Sequence, residues 1–598
     1  MFIGIDSLSS LLAQTEQQQK QLPHAPNFIP CPLPSPPLSD KDSVVASEPS
    51  SSDLLPSTPA PSLFSKPYQF PIQIVPLPNK GRSYVATRRI QPGELVFIAK
   101  PLGTTLCDQW LDCGICYYCW RSIPDLSTSV RLPERKQSSK QRIETVMVFC
   151  NTTCLKSFQE PVAQRICQVE QRIRRSWNYA SATRQSLGYG RKKSKRSPVQ
   201  ETGLEPTKSV QAIREVVRLA GSRKRILELD DQRLDQFLTT FWTALDTHLQ
   251  EEEILFLKTN QLTEASSSRL DSTAKPRLLE RAQALYPFLT KQLFGGPRTG
   301  STDDDQEYEL ATVTSDDDCE MIRLITEVLL RGQADVGLDT TGDPSIELQP
   351  TFADYCAMQS NELVLFRKEL AQQEDMLLDE STKIQDQEVD ANIPLAEMSV
   401  SQESDFYSTW GRVRSLIPDY LHNCLYVYLR IRDAYFLLSL ENNHTYLSDQ
   451  GQDTTNDNDL ITQRSPLSID HFHFRTILFR EVANSFGIRD EADELLGFAV
   501  FPRACFFNHS CRSNIEKRLN RLGTCHPLQQ QKGGMEAPRQ MEYWSRQVIE
   551  EGEECCISYG DMTPGRAERQ ERLEEEYFFR CCCPRCVEEA NAEKSESA

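Results

Sequence analysis

An apolar run that ends in four consecutive polar or metal-binding side chains constrains this chain more than any other feature. Phe498–Asn514 reads FAVFPRACFFNHSCRSN, and its apolar part stops at Asn508-His509-Ser510-Cys511. This pattern is typical of a buried strand that delivers hydrogen-bonding groups to a ligand pocket. Two later segments complete it. Gly552–Asp561 (GEECCISYGD) places Tyr559 at the end of a second strand-like run, and Tyr577–Cys586 (YFFRCCCPRC) carries closely spaced cysteines.

The length of 598 residues exceeds what one hydrophobic core supports, about 250–300 residues, so we expect several lobes or one body with insertions. The net charge of −19 argues against direct nucleic-acid binding, which needs an excess of Lys and Arg. No apolar run approaches the ~20 residues that span a membrane, and the first residues lack the basic region of a secretory signal. We therefore expect a reducing compartment, in which the 20 cysteines favour metal sites over disulfides.

Proline and serine dominate the first 66 residues, with eleven prolines between Pro23 and Pro61. This composition predicts a disordered tail, which is either a spacer or a docking segment for a proline-recognising partner. Order is expected to begin near Phe70 with a β-meander whose turns lie at Asn79-Lys80-Gly81 and Gln91-Pro92-Gly93.

Helical periodicity is prominent in residues 160–440, where apolar and charged positions alternate at helical spacing. The acidic stretch Gln372–Asp405 has few apolar residues and is expected to be disordered. A helix is predicted over Phe472–Phe486, ending in Asn484-Ser485-Phe486. The run Arg191–Arg196 holds five positive charges in six residues, which indicates either a nuclear import or nucleic-acid contact or a solvated loop. We expect the protein in the nucleus, the cytoplasm or both.

Two close cysteine pairs, Cys116-x2-Cys119 and Cys150-x3-Cys154, lie in the first third of the chain. Two such pairs separated by a loop supply four soft ligands, which is the number that a tetrahedral zinc ion takes. Cys113 is an alternative ligand to Cys116. The sequence therefore predicts one zinc site here.

The NHSC motif, the ISYGD motif at Ile557–Asp561 and the final C-x-C-x2-C occur in the order found in SET-domain protein lysine methyltransferases. With Asn484-Ser485-Phe486 and the early cysteines, the chain resembles the SET-and-MYND (SMYD) branch of that family over roughly residues 70–156 and 475–587. The resemblance implies an α+β fold, namely a SET domain of small sheets with a pseudoknot. A large helical insertion would split this domain, and a zinc-binding post-SET segment would follow it.

The resemblance also implies domain boundaries. They are a disordered Pro/Ser-rich tail (1–66), the N-terminal part of the SET domain (67–112), a reduced MYND-like finger (113–156), a helical insertion with disordered loops (157–470), the SET catalytic core (471–562), the post-SET zinc segment (563–587) and a polar tail (588–598). The finger is expected to hold one zinc instead of two, because residues 120–149 contain neither Cys nor His. No C-terminal helical repeat domain is expected.

By resemblance the chain is an S-adenosylmethionine-dependent protein-lysine N-methyltransferase that acts on histone or other protein lysines. Tyr559 would orient the substrate amine and Tyr577 would line the lysine channel, so these two are the expected catalytic residues. The expected cofactor contacts are Gly81, Arg82, Asn484, Asn508, His509, Tyr559 and Phe579, the last of which would cover the adenine ring.

The second zinc site also follows from the resemblance, which adds Cys511 to Cys581, Cys583 and Cys586. Cys582 is an alternative to one of its neighbours, and about two zincs per chain are expected. The sequence departs from the family pattern at Ser83, where the cofactor turn has its second glycine, and at Ser513, where a proline is usual. These departures favour an alternative function, a catalytically weak SET and zinc scaffold in transcriptional regulation or protein interaction. Expected partners are a protein substrate such as a histone tail, chromatin proteins and proline-motif readers, but no membrane.

Overall fold

The computed structural model describes a discontinuous set of residues, from which the predicted tail at 1–66 and the basic run Arg191–Arg196 are excluded. The described residues are 70–132 (without 79, 112 and 124–125), 147–176, 187, 206–260, 274–294, 316–334, 350–383, 406–446, 469–520 and 539–596. From Ile72 onward they belong to one compact unit.

Short strands form several small sheets. The described strands are β1 (Ile72–Leu77), β2 (Gly81–Ala86), β3 (Leu95–Ala99), β4 (Gly103–Leu106), β5 (Val130–Leu132), β6 (Met147–Phe149), β7 (Ser485–Arg489), β8 (Leu495–Val500), β9 (Asn508–His509), β10 (Ile515–Asn520), β11 (Gln540–Ser545) and β12 (Cys556–Ile557). β1 pairs with β2 and β5 with β6, while the three-stranded sheets have the orders β10-β11-β3 and β4-β8-β7. Only the β9–β12 pair is parallel among the described strands.

One short helix follows β4, helices occupy most of the described chain between β6 and β7, and two more follow β12. They are α1 (Asp108–Leu111), α2 (Thr152–Phe158), α3 (Glu160–Ser176), α4 (Lys208–Ala220), α5 (Arg223–Leu227), α6 (Asp231–Thr259), α7 (Ala274–Phe294), α8 (Asp316–Ala334), α9 (Phe352–Cys356), α10 (Glu362–Lys383), α11 (Phe406–Arg414), α12 (Asp419–Tyr446), α13 (His471–Glu481), α14 (Arg566–Tyr577) and α15 (Pro584–Glu596). No described helix is long and apolar enough to cross a membrane. These helices and small sheets are compatible with the expected SET-type fold.

The described helices share a large hydrophobic core that explains the apolar periodicity of the sequence. Phe237, Phe241 and Trp242 of α6 are completely buried in it, as are Tyr428 of α12 and Trp410 of α11. Residues four apart, such as Phe237 and Phe241, lie on one face of a helix, so one stripe of α6 enters the core. The predicted helical character of this region is confirmed.

The predicted hairpin around Lys80-Gly81 is confirmed, but the predicted meander is wrong beyond β2. Gly81 has a φ of 71°, a conformation that favours glycine, and nothing lies within 4 Å of where a Cβ would be, so the backbone alone requires glycine there. The next strand, β3, pairs with the distant β11. The turn at Gly93 directs this pairing, because its N–H donates to Ser545 O at 2.8 Å and Ser545 N–H donates to Glu94 O at 2.9 Å.

Two helix boundaries also differ from the predictions. The helix predicted over Phe472–Phe486 ends at Glu481, because Ala483 turns the chain with a φ of 66° and Ser485 then pairs with Val500 in β8. The predicted disorder from Gln372 is wrong as far as Lys383, since α10 continues to that residue. The Gln, Glu, Met and Leu residues of this stretch are strong helix formers even without a continuous apolar stripe. The polar residues from 588 onward extend α15 to Glu596.

Helix α8 is attached directly to β4, which fixes the helices against the strands. A Cβ on Gly103 would lie 2.4 Å from Val328 Cγ2, so the strand approaches the helix as closely as only glycine permits. Next to it, the backbone N–H and the hydroxyl of Thr104 both donate to Glu327 Oε2 at 3.0 Å. The helical stretch and the sheet that contains β8 are therefore parts of one packed body.

Candidate functional site: a cavity beside a cysteine cluster

The predicted site residues line one cavity of about 1040 Å³, although they come from distant parts of the chain. Its walls are the turn after β1, the connections α9–α10 and α13–β7, the segment around β9, the segment before β12 and the residues that follow α14. The predicted residues found in its lining are Gly81, Arg82, Asn484, Asn508, His509, Tyr559, Tyr577 and Phe579. The structure therefore brings together all eight residues that the resemblance singled out.

The parallel pair β9–β12 places the NHSC segment beside the segment that carries Tyr559. Asn508 lies opposite Cys556 and His509 opposite Ile557, and Ser510 N–H donates to Ile557 O at 2.9 Å. Parallel strands cannot be joined by a tight turn, so residues far apart in sequence meet here. The pairing is what brings Asn508 and Tyr559 to the same cavity.

The imidazole of His509 connects Tyr559 to the cysteines that follow. Burial, together with the charges of Arg572 and Arg569, lowers the pKa of His509 to about 4, so the ring is neutral at pH 7. Nδ1 accepts the backbone N–H of Tyr559 at 3.2 Å, and Nε2 lies 3.4 Å from Cys511 Sγ. A neutral imidazole carries one proton, which must then be on Nε2 and directed at the Cys511 sulfur. Both ring nitrogens are thus occupied by the protein itself.

The aromatic side chains of Tyr559, Tyr577 and Phe579 line one side of the cavity. The ring centroid of Tyr559 lies 4.8 Å from that of Tyr577 and 6.2 Å from that of Phe579. Tyr559 donates its hydroxyl proton to Phe507 O at 3.0 Å, and Tyr577 donates to Tyr559 O at 3.3 Å. Burial raises the pKa of both phenols, so both keep their protons at neutral pH. The Tyr559 oxygen can therefore accept a hydrogen bond from a ligand.

Arg82 and Asn484 also hold a segment of the helical region against the cavity. We call residues 357–361, between α9 and α10, the strap. Arg82 donates to Ala357 O, and its guanidinium carbon lies 4.9 Å from the ring centroid of Phe506. Asn484 Nδ2 donates to Gln359 O at 3.3 Å. The strap is thus fixed by two residues that the resemblance assigned to the cofactor.

Two further residues fasten the strap. Arg480 Nε donates to Cys356 O at 3.2 Å and to Met358 O at 3.1 Å. Within the strap, Asn361 Nδ2 donates to Val482 O at 2.7 Å. Met358, Gln359 and Asn361 line the cavity, so the helical region contributes a wall of the site.

Glu554 is a cavity residue that the sequence reasoning missed. Its carboxylate accepts hydrogen bonds from Lys80 Nζ at 2.5 Å, Ser83 Oγ at 2.9 Å and Asn508 Nδ2 at 2.9 Å. Burial alone would raise its pKa, but these donors and the charge of Lys80 outweigh burial and lower it. Alternation along the segment gave no signal for it, because the adjacent Glu553 also lines the cavity and Cys556, which lines it too, is buried like Cys555.

Two sets of four cysteines have the geometry of zinc sites, as the sequence predicted. A tetrahedral zinc with Zn–S bonds of about 2.3 Å separates its sulfurs by roughly 3.8 Å. In the first set, Cys150 Sγ lies 3.9 Å from Cys119 Sγ and 3.2 Å from Cys154 Sγ, and Cys116 completes the group. The exposed Cys113 is not a member, which settles that alternative.

The second set joins the NHSC segment to the end of the chain. Cys511 Sγ lies 3.9 Å from Cys581 Sγ and 3.5 Å from Cys586 Sγ, and Cys583 completes the group. Arg569 Nη2 lies 4.0 Å from Cys586 Sγ, so a cation faces the cluster and would offset the net negative charge of four thiolates around one Zn²⁺. The exposed Cys582 is outside the group.

A third group of possible metal ligands consists of Asp108, Glu170 and Cys319, whose ligand atoms lie close enough together to hold an ion. Arginine side chains already pair with its two carboxylates. Arg323 Nη1 lies 2.9 Å from Glu170 Oε1 and Arg323 Nη2 lies 2.5 Å from Asp108 Oδ1, while Arg174 pairs with both carboxylates. Two guanidinium groups therefore balance the two acids. The group is a buried ion-pair network that fastens α3 and α8 to the end of β4.

Comparison with known proteins matches part of the chain. A SET and MYND domain-containing protein of Dictyostelium discoideum is 30% identical over 118 residues, which is 20% of this chain and 26% of that protein. The potential protein lysine methyltransferase SET6 of Saccharomyces cerevisiae is 33% identical over 121 residues, covering 19% of this chain and 28% of that protein. Human N-lysine methyltransferase SMYD2 is 34% identical over 112 residues, covering 19% and 22%. The chain has homologues among SET and MYND proteins.

These matches span about a quarter of the length of the SET and MYND relatives and about a fifth of this chain. No family model matches the chain. The relatives include proteins named as lysine methyltransferases, which supports a methyltransferase at the level of the family. The two four-cysteine clusters fit the zinc fingers that the SET and MYND resemblance implies.

Ser83, at which the chain departs from the SET and MYND pattern, is accommodated without strain. It lies inside β2, completely buried, and it is not among the residues with positive φ. Among the described residues of this turn, Gly81 alone has the left-handed conformation. A serine at position 83 therefore does not distort the backbone that faces the cavity.

Proposed function

We propose that this chain is an S-adenosylmethionine-dependent protein-lysine N-methyltransferase. The observation that carries the proposal is the placement of Tyr559 in the same cavity as a charged cluster. Tyr577 and Phe579 lie beside the Tyr559 ring, while Arg82 and Glu554 supply charges of both signs. Such a cavity suits a ligand that carries an amino-acid group. Its aromatic side suits the apolar part of a substrate side chain that ends in an amine. The lysine methyltransferases among the relatives support the same reaction.

S-adenosylmethionine supplies a methyl carbon already activated by the neighbouring sulfonium. The chain must then hold a neutral amine in line with that carbon and keep water away. The Tyr559 hydroxyl proton is directed at Phe507 O, so its oxygen accepts a hydrogen bond from the amine and aims the amine lone pair. The surrounding rings are apolar, and burial beside them favours the neutral form of lysine over the charged one.

The second cysteine cluster would affect the site only by holding neighbouring residues in place. Phe579 lies two residues before Cys581, and Tyr577 and Phe579 pack against the cluster formed by Cys511, Cys581 and Cys586. A zinc ion bound there would hold the aromatic wall against the NHSC segment. We assign this zinc a structural role, and the same role to a zinc in the first cluster.

The decisive experiment measures cofactor binding and methyl transfer on the same preparation. Purified chain is titrated with S-adenosylmethionine by calorimetry, then incubated with methyl-tritiated cofactor and with histones or a mixed protein extract. The proposal requires saturable binding and tritium recovered as methyl-lysine after acid hydrolysis. Binding without transfer to any protein would favour the scaffold function, and the absence of binding would refute both the cofactor and the reaction.

A further inference from the structure

The carboxylate of Glu554 decides which atom of Asn508 faces the cavity. A carboxylate can only accept hydrogen bonds, so the amide nitrogen of Asn508 must point toward it, at 2.9 Å from Oε1. The same nitrogen lies 3.4 Å from Lys80 O, so one of its protons is directed at Glu554 and the other at the turn after β1. The amide oxygen, on the other side of the group, is left for the cavity that Asn508 lines. Asn508 therefore offers a ligand an acceptor and not a donor.

The backbone around Glu554 leaves its side chain little freedom. Residues 552–555 pair with β2, with Ala86 N–H donating to Glu553 O at 2.9 Å and Cys555 N–H to Tyr84 O at 2.8 Å. Asn514 Nδ2 also donates to Glu554 O at 2.8 Å. A carboxylate fixed at its backbone and satisfied by three donors is a preorganised group, whose ordering is complete before any ligand binds.

Among the three side chains that donate hydrogen bonds to Glu554, Ser83 is the one that is completely buried. Its hydroxyl donates to the same oxygen, Oε1, that receives the Asn508 amide. Lys80, in contrast, binds the other oxygen and has 57% of its side chain exposed. A glycine at position 83 would leave Oε1 with Asn508 alone. The serine thus adds a fixed donor next to the amide whose orientation matters.

We propose that Glu554 and Ser83 are positioning residues that hold Asn508 with its oxygen toward the α-ammonium group of an amino-acid ligand. The inference rests on the proposed function in that the ligand is taken to be S-adenosylmethionine. It also gives Ser83 a role in ligand affinity, at the position where the SET and MYND pattern has glycine. The ammonium group of the ligand then binds at the Asn508 oxygen, and its carboxylate binds at the Arg82 guanidinium.

The test compares two ligands that differ in one group. S-adenosylhomocysteine carries the α-ammonium, whereas its deaminated analogue has hydrogen in that place and keeps the carboxylate. Dissociation constants are measured by calorimetry for the full wild-type chain and for Glu554→Gln and Ser83→Ala. Glu550→Gln and Ser415→Ala are the matched controls, because both side chains are exposed and lie outside the cavity lining.

We expect Glu554→Gln to weaken S-adenosylhomocysteine binding about tenfold, which corresponds to about 1.4 kcal/mol, and Ser83→Ala to weaken it about threefold. Affinity for the deaminated analogue should change less than about twofold in either variant, and the controls should match the wild type. Equal losses for both ligands, or no loss for either, would overturn the positioning role. If Glu554→Gln does not fold, Ser83→Ala decides the question by the same comparison. A wild-type chain that binds neither ligand would instead overturn the proposed function, and the inference with it.

Discussion

Tyr559→Phe should abolish most methyl transfer while leaving the cofactor site intact. The substitution removes one oxygen, which donates its proton to Phe507 O at 3.0 Å, from a residue that lines the cavity. Loss of one preorganised polar contact in a site that excludes water typically lowers kcat by about 10²–10³-fold. The ring remains, so its contacts with Tyr577 and Phe579 remain. The cofactor dissociation constant should therefore change by less than about threefold.

The cost in stability should be small. The variant loses one buried hydrogen bond, which contributes about 1 kcal/mol, and leaves the Phe507 carbonyl without that donor. A fall of this size in the free energy of unfolding cannot produce a hundredfold loss of activity at a temperature where the protein is folded. Urea unfolding of both proteins gives the comparison.

Tyr543→Phe is the matched control, because it removes the same atom next to the same site. The Tyr543 ring stacks on Phe507 with centroids 4.4 Å apart. Its hydroxyl is buried and has no hydrogen-bond partner within the part of the chain that the structure describes. Removing it breaks no bond and relieves a desolvated group, so stability should stay the same or rise by about 1 kcal/mol. Methyl transfer should be unchanged.

Single-turnover transfer of tritiated methyl, with calorimetric binding of the cofactor, separates the possible results. A large loss of transfer in Tyr559→Phe with normal binding and an active Tyr543→Phe is the expected outcome. Equal losses of binding and transfer in Tyr559→Phe would mean that the hydroxyl holds the cofactor or the fold. Equal losses in the two variants would mean that activity follows packing of the ring stack, and the role given to the Tyr559 oxygen would be refuted.

Three further predictions concern metal, strap and pH. Elemental analysis should find about two zincs per chain. The Cys583→Ser variant should lose one zinc and should no longer bind the cofactor. The Cys150→Ser variant should lose the other zinc, with much less effect on catalysis. Arg82→Ala should increase hydrogen exchange at residues 357–361, measured by mass spectrometry, because Ala357 O loses its donor. The lowered pKa of Glu554 stabilises the fold above the ordinary glutamate pKa of about 4.3, and that contribution is lost as the pH falls through the lower folded value. The free energy of unfolding of Glu554→Gln should therefore depend less on pH than that of wild type over this acidic range.

The sequence predicted the cysteine clusters and the convergence of the site because short motifs carry those constraints. Zinc needs four sulfurs at fixed separation, so Cys581, Cys583 and Cys586 require a fourth ligand, and Cys511 provides it. The roles of Tyr559 and Asn508 in catalysis and cofactor binding stay predictions. What the structure adds is their placement in one cavity.

Pairings between distant segments were not predictable in the same way. β3 carries no local signal that its partner is β11, since β3 is a short apolar strand that fits several sheets and β11 is a short strand of mixed polarity. The strap has no motif, because Arg82, Arg480 and Asn484 bind its carbonyl groups, which every residue possesses. The predicted helix end at Phe486 failed for a related reason, since the pairing of Ser485 with Val500 overrides helical propensity.

Arg539 shows why the early cysteine region, the helices and the site cannot be treated as independent modules. It directly precedes β11 and has a φ of 88°, a conformation that costs a non-glycine residue about 1–3 kcal/mol unless its surroundings impose it. Its guanidinium lies 5.6, 5.4 and 5.1 Å from the ring centroids of Tyr118, Trp120 and Phe158, which belong to the first cysteine region and α2. It also pairs with Glu327 of α8, whose other oxygen receives Thr104. One buried cation therefore ties β11, the cysteine region, the helices and β4 together, and the same helices supply the strap that walls the cavity. A disturbance of the first cluster therefore reaches the site only through packing at a distance, which is why Cys150→Ser is expected to affect catalysis less than Cys583→Ser.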